Sequence, residues 1–120
     1  MLRTIALMSL AATGSAVMAQ DPVVTDGNLY TVLLENAQVR VLEHRDAPGD
    51  ITHLHHHPAF VLYALAPFKR KITLPDGTVI VRTFKAGDVL YSPAQTHIGE
   101  NIGTTPTHVI LVEMKAGPAP

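Results

Sequence analysis

Short apolar runs alternate with breaks over most of the chain. Residues 29–34, 39–44, 60–65, 71–74, 78–84 and 108–114 are rich in Val, Ile, Leu, Thr and Tyr. Asn36, Pro48-Gly49-Asp50, Pro75-Asp76-Gly77 and Gly103-Thr104 separate them. This pattern predicts strands with turns between them. Asp76-Gly77 between two apolar runs predicts a hairpin, since Gly tolerates the positive φ such turns require. No window sustains the 3.6-residue period of a core helix, and nine prolines further oppose one. The reading is an all-β chain, a sandwich or barrel, with no internal repeat.

The first residues follow a different pattern. Arg3 precedes an apolar stretch over residues 5–19 that ends in Val17-Met18-Ala19. That is the layout of a secretory signal peptide, predicting residues 1–19 as the leader and Gln20 as the mature start. The stretch is about five residues short of a membrane span. The expected organisation is then a loosely held segment over 20–27, one barrel domain over 28–115 and a tail over 116–120. The expected location is the periplasm or the cell exterior.

Composition narrows the function. With 120 residues, 47% apolar, there is material for one domain. Nine basic against ten acidic residues leave no excess of positive charge for nucleic acid. The absence of Cys removes disulfides, thiolate metal sites and Cys nucleophiles. No Ser-His-Asp order, phosphate loop or dinucleotide fingerprint is present. The remaining signal is seven histidines, four of them in Thr52-His53-Leu54-His55-His56-His57-Pro58.

On an extended strand alternate residues share a face, so His53, His55 and His57 point one way and His56 the other. Imidazoles at i and i+2 can reach one ion, and a third ligand must come from elsewhere. His97 is the candidate. His55, His57 and His97 form the expected set, with His53 as the alternative through a one-pair shift. A solvated, tag-like patch that scavenges metal is the competing reading. His44 and His108, within strands, read as hydrogen-bonded structural residues.

Two stretches carry a family resemblance. Gly49 is followed by five residues and then His55-His56-His57; Gly87 by five residues and then Pro93, with three residues between His97 and Asn101. In spacing, these resemble the two motifs of the cupin superfamily, as Lys85-Ala86-Gly87-Asp88-Val89 resembles the approach to the second. Two positions depart from the pattern. Val61 or Leu62 stands where the first motif has Glu, and Gln95 where the second has Gly, with His97 one residue early. The resemblance covers roughly residues 38–115 and implies a jelly-roll β-barrel with an internal divalent metal. It also implies a homodimer through an edge strand or sheet face, and a small-molecule ligand.

Three neutral imidazoles on Fe, Zn, Mn, Cu or Ni would leave coordination positions open. With iron that arrangement suits a dioxygenase; with zinc, hydrolysis or lyase chemistry. A binding domain without turnover is the alternative from another class. Strand parity counted from His57 places Tyr63 inward as a proton donor beside the metal. Tyr91 is expected at the cavity mouth. Glu113 reads as a strand-end charge or, less simply, an inward carboxylate, and Lys69-Arg70-Lys71 as a solvated edge.

Overall fold

A computed structural model describes residues 20–116. The expected signal peptide, and all of the expected tail except Ala116, lie outside the described residues. The described elements are α1 (Pro22–Thr25), β1 (Tyr30–Glu35), β2 (Val39–Asp46), β3 (His55–His57), β4 (Phe60–Ala64), β5 (Phe68–Thr73), β6 (Val79–Phe84), β7 (Val89–Ser92), β8 (Gln95–Asn101) and β9 (Thr107–Met114). Each expected strand forms, with its ends moved by a few residues.

The strands make two antiparallel sheets, ordered β1-β2-β9-β4-β7 and β3-β8-β5-β6. From β2 onward the chain changes sheet at every connection except the β5–β6 hairpin, which produces the jelly roll. Alternation sends Leu42, Leu62, Val109 and Leu111 inward from one sheet and Phe68 and Phe84 from the other. Phe68 and Phe84 are register partners and stack at 4.5 Å between ring centres. Each such side chain contributes about 1.5–3 kcal/mol on burial.

Turn chemistry explains the motif glycines. Gly49 and Gly87 have φ of 89° and 90°, a conformation in which a β-carbon is strained. The Gly87 turn donates from Gly87 N–H to the Ala64 carbonyl at 2.7 Å, tying β4 to the approach of β7.

One buried carboxylate joins both sheets. Asp46 accepts from Arg70 Nη1 at 2.7 Å, from His44 Nε2 at 3.0 Å and from Asn101 Nδ2 at 3.0 Å. Asn101 also donates to the Thr105 carbonyl and accepts from Gly103 N–H, so the motif asparagine has a structural role here. Burial alone would raise the Asp46 pKa. Hydrogen bonds from His44 and Thr107 and the Arg70 charge overcome it, holding the carboxyl well below the usual range.

Two expectations are corrected by this frame. Residues 20–27 are docked rather than loose: Asp21 caps α1 and pairs with Arg40, Pro22 is buried, and buried Asp26 accepts from His53 N–H. Polar anchors hold the segment, which an apolar pattern does not reveal. The Lys69-Arg70-Lys71 run is not an edge either, because β5 lies between β6 and β8. Alternation turns Arg70 inward, where it is buried.

Because the Asp46 pKa is depressed in the folded state, its contribution to stability is present above about pH 4. It is lost as pH falls through the folded value. We expect thermal melts between pH 7 and pH 2 to show an acid limb that is shallower in D46N, which should already be less stable at pH 7. A D46N variant with an unchanged acid limb would remove Asp46 from this role.

Candidate metal centre

The short strand β3 pairs with β8 so that His55 lies opposite His97 and His57 opposite Gln95. Alternation points His55, His57 and His97 inward, at 0, 2 and 5% exposure. Their rings lie 4.8–5.2 Å apart centre to centre. One ring nitrogen of each lies within 4.8 Å of the others, a group that could hold a metal ion.

The hydrogen bonds decide which nitrogens face the centre. His55 Nδ1 donates to the His53 carbonyl at 2.9 Å, His57 Nδ1 to Glu113 Oε2 at 2.7 Å and His97 Nδ1 to Gln95 Oε1 at 2.7 Å. All three partners are acceptors, so each Nδ1 carries the hydrogen and each Nε2 presents a lone pair. His55 Nε2 is buried and has no hydrogen-bond partner among the described residues. A lone pair stranded in this way is costly unless something occupies the space before it. The donor set therefore fits a divalent metal.

Charge works in the same direction. Burial, reinforced by the neighbouring His57, pushes the His55 pKa down to about 4. Burial and repulsion from His57 and His55 push His97 down to about 2. Both rings are thus neutral near pH 7, the form that binds metal. Behind His57, Glu113 also pairs with Arg40 at 2.8 Å, and Arg40 continues to Asp21. Glu113 follows the inward parity of Val109 and Leu111, and its burial rules out the strand-end reading.

The other candidate residues separate cleanly. His53 stands apart with its side chain 79% exposed, bound to Asp26. His56 faces the other way and pairs with Thr96, and His108 pairs with Glu43. His44 bonds Asp46 but also lines the central cavity, as Tyr91 does. Tyr63 is not beside the centre. It is 46% exposed, because Pro58 and Ala59 carry the chain between sheets and shift the alternation, so that Phe60, Leu62 and Ala64 point inward. The phenol near the centre belongs to Tyr30, whose ring lies 5.7 Å from His55 and 6.0 Å from His57. Burial raises its pKa above the ordinary tyrosine range. Nothing in the local sequence of β1 marks it. Gln95, the departure from the second motif, is the residue that fixes the His97 ring.

Beside the three-imidazole group lies a cavity of about 180 Å³, lined by Phe60, Leu62, Phe84 and Leu111 among others. His57 and His97 both face it.

No protein-family profile and no curated protein matches the chain. Solved structures do. A cupin domain from Bordetella pertussis is 26% identical, with 73% of this chain and 93% of that one covered at a TM-score of 0.67. A Cupin 2 conserved barrel domain protein from Salinispora arenicola is 27% identical, with 77% and 80% covered and a TM-score of 0.57. A polyketide cyclase from Streptomyces resistomycificus, 17% identical over 75% of this chain and 66% of that one with a TM-score of 0.56, shares the fold. Shared architecture along nearly the whole Bordetella domain agrees with the spacing of the two histidine motifs, and the chain has the jelly-roll fold of cupin-superfamily proteins.

Proposed function

We propose that this chain is an exported cupin in which His55, His57 and His97 hold one divalent ion, and that a small oxygen-bearing molecule reacts in the adjoining cavity by oxygenase-type chemistry. The observation that carries the reading is the outward anchoring of all three Nδ1 atoms, which leaves three Nε2 lone pairs inside, one of them buried without a partner. An ion held by three neutral imidazoles keeps its full charge and supplies Lewis acidity, with a redox couple in the case of iron.

The chain's own residues define the rest. Glu113 and Gln95 hold His57 and His97 in one tautomer and one orientation. The apolar lining restricts water around the reacting molecule. Tyr30 keeps its proton near pH 7 and can donate a hydrogen bond to a ligand. The burial of His55 and His57 also opposes a tag-like scavenging patch, whose imidazoles would be solvated. The outward position of Tyr63 favours a second reading, ligand capture without turnover, since the expected proton donor is absent from the centre.

Untagged protein recovered from the exported fraction should begin at Gln20 by intact mass and carry one equivalent of metal by elemental mass spectrometry. H55A, H57A and H97A should each lose that equivalent, whereas H53A and H56A keep it. Equal retention in all five variants would discard the ligand set.

Iron-loaded protein should consume oxygen in step with loss of a substrate from a panel of small enols and hydroxy acids. Tight binding of such compounds without oxygen uptake would replace the oxygenase reading with the binding one.

A further inference from the structure

The inner face of the β5–β6 hairpin carries a feature that metal binding does not use. Its register pairs are Phe68 with Phe84, Arg70 with Arg82 and Ile72 with Ile80, and all six side chains line the central cavity. Two arginines are therefore register partners on an otherwise apolar strip of the wall, Arg70 buried and Arg82 exposed. Like charges in that position are destabilising, and a chain with no counter-charge for them would gain from replacing one.

Their partners are unequal. Arg70 is buried and gives Nη1 to Asp46; among the described residues that is its one hydrogen bond. The Arg70 guanidinium lies over Gly99, where an added β-carbon would come within 2.8 Å of Cζ and Nε. Gly99 thus leaves the space that the planar group fills. Arg82, at the solvent side of the cavity, has no carboxylate partner among the described residues. With Arg70 offset by Asp46, the wall holds one uncompensated positive charge.

Distance connects this pair to the histidines. His97 and Gly99 are alternate residues on the inner face of β8, roughly 6.6 Å apart along the strand. The Arg70 guanidinium therefore stands one inward-facing position along β8 from His97. A cavity of about 180 Å³ suits a body near the size of a single ring, since about 150 Å³ accommodates benzene.

We infer that the cavity takes a small organic monocarboxylate with an apolar body, its carboxylate held by Arg82 together with the free edge of Arg70. Arginine offers paired donors that match one carboxylate. The apolar walls select a carbon body over a bare inorganic anion. That the body extends toward an ion on the imidazoles rests on the metal reading above; the carboxylate contact does not.

Calorimetric titration with benzoate, its neutral isostere benzamide and inorganic phosphate tests this, on metal-loaded and on chelator-treated full-length protein. Benzoate should bind at least about tenfold more tightly than benzamide in both forms, and phosphate should not displace it. R82Q should weaken benzoate about tenfold and leave benzamide unchanged. Arg82 is exposed, so this variant should retain its melting temperature; R70K, which preserves the charge beside Asp46, should weaken benzoate by a smaller factor. Equal binding of benzoate and benzamide, or an unaltered R82Q, overturns the proposal. Phosphate competing as strongly as benzoate overturns the organic-acid class. Benzoate selectivity in protein that takes up no metal when loaded upholds the arginine pair and refutes the metal reading, whereas one equivalent of metal without that selectivity does the reverse.

Discussion

The centre depends on one register, the antiparallel pairing that sets His55 opposite His97 on β3 and β8. A strand slipped by one residue would send every side chain to the other face. His55 and His57 would then turn outward and His56 inward, and the three-imidazole group would vanish. The pairing is short, so other contacts must hold it. Thr52 N–H donates to the Gly99 carbonyl, Gly99 N–H to Thr52 Oγ1, and Gly49 N–H to the Asn101 carbonyl. These bonds extend the ladder past the end of β3 and fix its alignment.

Around that register the barrel divides its interior by chemistry. Apolar side chains from both sheets fill the middle. The histidines, backed by Glu113 and Arg40, occupy one region, and Asp46 with Arg70, His44 and Asn101 another. Each buried charge has an opposite charge or a set of hydrogen bonds. Polar groups in such surroundings cost stability when left alone and confer a unique arrangement when fully partnered. The cavity lies between the two regions and takes its character from both.

Much of this was legible in the sequence, and the gaps have physical causes. Strand alternation and the glycine and proline breaks were enough to give the all-β fold. Motif spacing from Gly49 and Gly87 picked out the three histidines now found together. The side of Tyr63 was misjudged because parity holds only within a strand, and Pro58-Ala59 moves the chain to another sheet. Arg70 was hidden in a run of three basic residues, although its spacing from Phe68 and Ile72 marks it as inward. The N-terminal segment shows no apolar pattern because carboxylates anchor it; Asp21 before Pro22 is its local signal, that of a helix start.

That segment also finishes the sheet. β3 has β8 on one side only, and His56 N–H on its open side donates to the Gln20 carbonyl at 2.7 Å. An open strand edge invites pairing with another chain, and here the first described residue blocks it. Gln20 thus stands at the rim of the histidine strand. A change at Gln20 is therefore felt at the strand that carries two of the imidazoles rather than at a distant appendage.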